Sequence, residues 1–82
     1  MAKEIFWSAS SEIDFSHILE YLNKEWNLNV VNHFMDLTEH CIEQISINPK
    51  QFPIIQKKLK VRKCVITKHN SIFYHYCPIK II

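Results

Sequence analysis

Hydrophobic residues recur at helical spacing in two stretches of the first half of the chain. The first stretch places them at i, i+3, i+4, i+7 and i+11, the apolar stripe of an amphipathic helix: Phe15, Ile18, Leu19, Leu22 and Trp26. The second stripe advances by four, three, four and four residues: Val30, Phe34, Leu37, Cys41 and Ile45. The two patterns predict one helix over residues 9–26 and another over residues 30–45, joined into a helical hairpin.

Polar residues and a proline mark the ends of these predicted helices. The N-cap of the first helix has three candidates, since a serine hydroxyl accepts a hydrogen bond from first-turn N–H groups: Ser8, Ser10 and Ser11. Asn27 can cap the second helix in the same way. Asn48 precedes Pro49, and the residue before a proline is pushed out of helical geometry, so we expect the second helix to end there.

The second half of the chain has the residue pattern of β-strands. Two runs rich in β-branched and aromatic residues flank His69-Asn70, which predicts a β-hairpin that pairs residues 61–68 with residues 71–77. A two-residue turn at His69-Asn70 would make Val65 the cross-strand neighbour of Tyr74. Short apolar runs at residues 4–8 and 79–82 predict a first and a last strand.

Taken together, these elements predict an α+β domain with the order β-α-α-β-β-β, in which a two-helix hairpin packs on one face of an antiparallel sheet. Residues 49–60 are expected to form a connector held to the core by Phe52 and Ile54. Trp7 and Trp26 are expected to anchor the core. No repeat or linker divides the sequence, so residues 1–82 should form a single domain.

The composition excludes several classes of function. The chain has no glycine, so neither a glycine-rich phosphate loop nor a dinucleotide-binding fingerprint is present, and we expect no cofactor. Its three cysteines show no C-x-x-C spacing, and no apolar run reaches membrane length. We therefore expect a reduced, cytoplasmic protein with free thiols and no contact with a membrane.

Charge is distributed very unevenly along the sequence. Two bases and eight acids give residues 1–49 a formal charge of −6, whereas eight bases and no acid give residues 50–82 a charge of +8. Five of these cations lie within seven residues: Lys57, Lys58, Lys60, Arg62 and Lys63. Such asymmetry favours a nucleic acid or an acidic protein segment as the partner of the second half, although a solvated basic loop would look the same.

The predicted hairpin also places candidate chemistry on one side. Its register puts Arg62 and His75 on the same side, a cation beside a group that exchanges protons near neutral pH. The plainer alternative is an exposed arginine beside a histidine packed against a cysteine. Cys64 and Cys77 share that side with His75, but a zinc site needs a fourth ligand and paired spacing, so we expect no metal.

A series of short motifs resembles the RelE/ParE toxin family of bacterial toxin–antitoxin modules. In chain order they are Ile5-Phe-Trp-Ser8, Ile18-Leu-Glu-Tyr21, Ile47-Asn-Pro49, Phe52-Pro53, Val61-Arg-Lys63 and Ile72-Phe-Tyr74. The resemblance covers the whole chain and implies the RelE/ParE fold. It also implies a small cytoplasmic toxin, active in growth inhibition and plasmid stabilisation and neutralised by a cognate antitoxin that carries an acidic segment.

Two activities occur in that family. RelE-like members cleave messenger RNA on the ribosome, and ParE-like members poison DNA gyrase without a known catalytic site. Nuclease members tend to carry a basic residue where the second hairpin strand begins, and this chain has Ser71 there. Members of the family also run beyond the last strand into a short tail that contributes functional residues, whereas this chain ends at Ile82. Both departures favour the ParE-like interpretation, so we expect a binding protein rather than an enzyme.

The alternatives assign different roles to the same residues. If the protein is a RelE-like nuclease, the resemblance assigns the catalytic positions to Arg62, His75 and Tyr74. If it acts only by binding, the contact residues are the five clustered cations: Lys57, Lys58, Lys60, Arg62 and Lys63. A third possibility is a detoxified domain that binds an antitoxin and nothing else.

Overall fold

Two helices lie against one open, mixed sheet in the computed structural model, which describes residues 4–76 and 79–82. In chain order the elements are β1 (Ile5–Trp7), α1 (Ala9–Glu25), α2 (Leu28–Ile47), β2 (Ile54–Gln56), β3 (Val61–Thr67), β4 (Asn70–His75) and β5 (Ile79–Ile81). The strand order across the sheet is β1-β5-β4-β3-β2. The predicted α+β class is therefore confirmed.

Both helices begin and end close to the predicted positions. The Ser8 hydroxyl oxygen accepts a hydrogen bond from the Ser11 N–H at 3.1 Å, and Asn27 Oδ1 accepts one from the Val30 N–H at 3.0 Å. Asn48 is the C-cap of α2, as expected from the proline that follows it. The Ser8 N–H also donates to the Ile81 carbonyl at 3.0 Å, so the start of α1 is attached to β5.

The sheet differs from the prediction in two respects. It is not wholly antiparallel, because β1 pairs with β5 in the parallel sense. Between β1 and β5 the chain changes direction an even number of times, because β2, β3, β4 and β5 alternate in direction and β2 runs opposite to β1. The two strands therefore run in the same direction. The predicted connector also contains an additional strand, β2, which pairs antiparallel with β3 at one edge of the sheet.

The predicted register of the β3–β4 hairpin is wrong. Tyr74 lies opposite Arg62 rather than opposite Val65, and the turn falls one residue earlier, with Asn70 already paired to Thr67. Thr67 Oγ1 accepts a hydrogen bond from the His69 N–H at 3.2 Å, and such a local bond fixes where a turn starts. A bulge between Val65 and Thr67 adjusts the pairing. As a result Val65 and Tyr74 lie on opposite faces of the sheet.

The core lies between α2 and the face of the sheet that the helices cover. Two residues of α2, Cys41 and Ile45, pack against buried side chains of three strands: Cys64, Ile72, Tyr74, Ile79 and Ile81. An aromatic series joins β1 to both helices, since the Phe15 ring centroid lies 5.4 Å from that of Trp7 and 6.0 Å from that of Phe34. Burial of these side chains supplies the main driving force for the fold.

Three expectations about packing have different outcomes. Phe52 is half-buried and packs edge-on against the Tyr74 ring, at 6.4 Å between centroids, as predicted. Trp26 and Ile54 are exposed rather than anchored, because Trp26 is the C-cap residue of α1 and Ile54 lies on the edge strand β2.

Among the described residues, neither helix combines the length and the hydropathy needed to cross a bilayer.

Candidate functional site

Three of the predicted binding lysines lie on a turn at one edge of the molecule. Residues 57–60, named the basic turn below, connect β2 to β3, and Lys57, Lys58 and Lys60 are all exposed. The turn is stabilised by a 2.6 Å hydrogen bond from the Leu59 N–H to Gln56 Oε1. Lys60 adopts a φ of 54°, the left-handed conformation that lets the chain re-enter the sheet. The cations are therefore presented on a formed turn.

Arg62 has a structural role that the sequence did not indicate. It lies on the helix-covered face, half-buried, opposite Tyr74. Its Nη1 donates to two backbone carbonyl oxygens of the loop after α2, that of Phe52 at 2.6 Å and that of Lys50 at 3.1 Å. Hydrogen bonds from a charged donor are stronger than neutral ones. The guanidinium group thus fixes this loop against the sheet.

Tyr74 contacts the same loop from the core of the protein. It is fully buried, with 0% of the residue exposed to solvent. Its hydroxyl group donates to the Pro49 carbonyl oxygen at 2.6 Å. Burial raises the pKa of Tyr74 to about 12, although the nearby Arg62 charge acts in the opposite direction. A buried phenol that stays protonated to this pH and already donates its proton to a carbonyl is poorly suited to acid–base catalysis near neutral pH.

His75 points away from both of these residues. It pairs with Lys80 of β5 and lies on the face of the sheet opposite to Tyr74 and Arg62. Its Nδ1 lies 3.1 Å from the Leu59 carbonyl oxygen, which can only accept, so the Nδ1 atom carries the hydrogen. The predicted proximity of Arg62 and His75 is therefore wrong, because the corrected register places them on opposite faces.

The face that carries His75 combines apolar and cationic side chains, most of which are exposed to solvent. We name it the open face, because the helices pack on the other side, and its members are Phe6, Lys63, Val65, Phe73, His75 and Lys80. Phe6 lies beside Lys80, and Phe73 lies beside Lys63, as cross-strand neighbours. Phe6 is 48% exposed and Val65 is 57% exposed. Exposed apolar side chains grouped in this way are typical of a contact surface.

Four members of this surface, Phe6, Val65, Phe73 and Lys80, were missed as site residues by the sequence reasoning. Strict alternation in Ile79-Lys80-Ile81 was the available signal for an outward-facing lysine. The phenylalanines gave no such signal, because an aromatic residue in a strand is usually assigned to the core. Only the corrected register shows which face they occupy.

Two of the residues considered as zinc ligands, Cys64 and His75, lie on opposite faces of the sheet. Cys64 faces α2 in the core, whereas His75 lies on the open face, and Cys77 is outside the described residues. Burial, together with a hydrogen bond to Cys41, raises the pKa of the Cys64 thiol to about 12, which makes it a packing residue rather than a reactive one. Within residues 4–76 and 79–82, no group of three or more metal-ligating side chains is found.

No model of a protein family and no curated protein matches this chain. The functional assignment therefore depends on the geometry of the candidate residues. That geometry divides them into two groups. Arg62 and Tyr74 hold a loop, while the basic turn and the open face present cations and apolar groups to solvent.

Proposed function

We propose that this chain is the toxin component of a type II toxin–antitoxin module, of the RelE/ParE type, and that it acts in the cytoplasm. Its action is ParE-like, by binding a cellular target such as DNA gyrase, and not by cutting RNA. The family assignment is supported by the motif series and by an α+β architecture compatible with that family. Growth inhibition is the expected effect, relieved by a cognate antitoxin.

The choice of binding over cleavage is carried by one observation, the engagement of Arg62 and Tyr74 with backbone carbonyl groups. RNA cleavage needs a base, an acid and cations held around one phosphate. The guanidinium group of Arg62 donates to the loop after α2, and the Tyr74 hydroxyl is buried beneath it. His75 lies on the other face of the sheet, so the three candidates do not surround a common point.

The antitoxin is proposed to bind across the basic turn and the open face. No acidic residue follows Glu43 in the sequence, so carboxylates of the C-terminal half do not compete for these cations. An acidic, partly disordered segment would contact the exposed lysines, while its apolar residues would cover Phe6 and Val65. Complementary charge of this kind mainly increases the rate of association.

A growth experiment separates the three possible functions. The chain is induced in a bacterial host, alone and together with a neighbouring open reading frame that encodes a small protein with an acidic, amphipathic C-terminal segment. Growth arrest with a DNA-damage response, while protein synthesis continues, is the expected result. Immediate arrest of translation would instead support a RelE-like nuclease. Normal growth combined with tight binding to the second protein would support a detoxified antitoxin-binding domain.

The proposed contact surface is tested by reversing its charges. Replacing Lys57 and Lys58 by glutamate should slow association with that antitoxin by at least about tenfold at low salt, because like charges oppose the encounter. The matched control is the double variant Lys24→Glu/Lys68→Glu, which removes the same charge at exposed positions of α1 and of the β3–β4 turn. An association rate that is equal in both variants and insensitive to salt would contradict the electrostatic account.

A further inference from the structure

A second apolar surface lies on the helical side of the molecule, away from the open face. It is a groove of about 570 Å³ along α2, named the α2 groove, and its apolar lining comprises Trp7, Phe15, Met35, Ile42 and Ile47. Ile47 and Met35 are exposed to solvent there. Exposed apolar side chains grouped in a groove make it a candidate contact surface.

The rim of the α2 groove has a definite charge. Glu39 and Glu43 line it, one helical turn apart on α2, and both are exposed. Two carboxylates beside an apolar floor select a partner in which cations flank exposed apolar side chains. An acidic segment would place like charges beside these carboxylates, and a purely apolar segment would leave them without a counter-charge.

The chain itself carries a segment with this chemistry. In β2 and the basic turn, Ile55 and Leu59 are 50% and 59% exposed, and the adjacent Lys57 and Lys58 are exposed as well. The hydrogen bond from the Leu59 N–H to Gln56 Oε1 and the contact of the Leu59 carbonyl with His75 hold the segment in shape. A preformed segment loses less conformational entropy when it binds than a flexible one does.

One molecule cannot use its own basic turn to cover its own groove. The strand order places β1, which contributes Trp7 to the groove, and β2, which leads into the basic turn, at opposite edges of the sheet. We therefore infer that the α2 groove of one copy binds residues 54–60 of a second copy, with Glu39 and Glu43 opposite Lys57 and Lys58. If both groove–turn contacts form at once between two copies, the assembly closes as a dimer, and otherwise each added copy leaves one groove and one turn exposed. The inference does not depend on a toxin function.

The experiment is sedimentation velocity of the purified chain from about 5 μM to about 500 μM, a range that covers weak association. The wild type should sediment faster as its concentration rises, and this effect should weaken as salt screens the charges. Two charge-reversal variants, Glu39→Lys/Glu43→Lys and Lys57→Glu/Lys58→Glu, should each bind themselves at least about tenfold more weakly, because like charges then meet. An equimolar mixture of the two should associate as the wild type does, since both of its mixed contacts pair opposite charges.

Two further variants control for net charge. Glu20→Lys/Glu25→Lys on α1 and Lys24→Glu/Lys68→Glu change the same number of exposed charges outside the proposed interface, and both should self-associate normally. Circular dichroism establishes that every variant is folded. A wild type that stays monomeric throughout the range, or a mixture that fails to associate although both variants are folded, would overturn the inference. So would a monomeric chain whose groove binds an unrelated basic amphipathic peptide.

Discussion

The Tyr74 hydroxyl group donates a 2.6 Å hydrogen bond to the carbonyl oxygen of Pro49, 25 residues earlier in the chain. This bond connects β4 to the loop that begins where α2 ends. It is protected from water, because Tyr74 is fully buried. Arg62 binds two further carbonyl groups of the same loop. Arg62 and Tyr74, which the sequence offered as catalytic candidates, thus hold the loop after α2 against the sheet.

Replacement of Tyr74 by phenylalanine should destabilise the fold. The substitution removes a buried donor and leaves the Pro49 carbonyl without this partner, a change that costs ~1–3 kcal/mol of unfolding free energy. Urea unfolding followed by circular dichroism measures the effect. Tyr21→Phe, which removes the hydroxyl of an exposed tyrosine on α1, is the control and should leave the unfolding midpoint almost unchanged. Equal midpoints in the two variants would show that the Tyr74 bond contributes nothing.

Replacement of Arg62 by alanine should also lower stability, by ~1–3 kcal/mol, because two carbonyl groups lose a charged donor. Lys63→Ala is the neighbouring control, since Lys63 lies on the same strand but faces the opposite side of the sheet. Proteolysis within residues 49–53 should accelerate in the Arg62 variant alone. If Arg62→Ala unfolds at the wild-type denaturant concentration and its loop resists protease equally, Arg62 does not hold the loop.

Stability should decline at alkaline pH. Burial raises the pKa of Tyr74 from 10.0 to about 12, so its stabilising contribution is complete below pH 10 and is lost as the pH rises to about 12. The pKa of Cys64 rises from 9.0 to about 12, so its contribution begins to fall above pH 9. Urea midpoints measured across this range should fall for the wild type and fall less steeply for Tyr74→Phe. Parallel curves for the two proteins would contradict the assignment to Tyr74.

The purified chain should not cleave messenger RNA on programmed ribosomes. Arg62 and Tyr74 are engaged with the loop, and lysines that bind ground and transition states equally do not accelerate a reaction. Mapping of RNA 5′ ends after incubation provides the measurement, and a His75→Ala variant is included because His75 lies on the open face. Cuts at fixed codon positions that disappear in this variant or in Arg62→Ala would make the nuclease interpretation the better one.

The helical half of the fold could be predicted well from the sequence. Asn27 and Asn48 cap α2 as expected, and Ser8, one of three serine candidates, is the N-cap of α1. Capping depends on local hydrogen bonds that short sequence patterns specify. The buried side of α2 differs slightly, because Thr38 is buried whereas Val30 and Leu37, which were predicted to lie on that side, are only half-buried. Thr38 tolerates burial because its hydroxyl donates to the Phe34 carbonyl at 2.8 Å, a pairing that hydrophobic periodicity does not predict.

The candidate site could not be predicted because it depends on the hairpin register. Because the turn lies elsewhere than predicted, the cross-strand partner of Tyr74 is Arg62 and not Val65. A shift of the register by an odd number of residues transfers side chains to the other face of the sheet. The choice between turns rests on one hydrogen bond of Thr67 and on the fit of Tyr74 into the core. The Thr67 bond is local, but the fit of Tyr74 into the core depends on tertiary structure, so residue patterns alone could not separate Arg62 from His75.

The parallel pairing of β1 with β5 affects the order in which the protein folds. Ile5 is the partner of Ile79, so nearly the whole described chain must be arranged before this contact closes. Contacts between residues so distant in sequence raise relative contact order and slow the folding of small domains. During synthesis β1 leaves the ribosome well before β5, so the strand that carries Phe6 and Trp7 lacks its partner until β5 emerges. We expect the helical hairpin and the β3–β4 hairpin, which need only local contacts, to form before β1 joins the sheet.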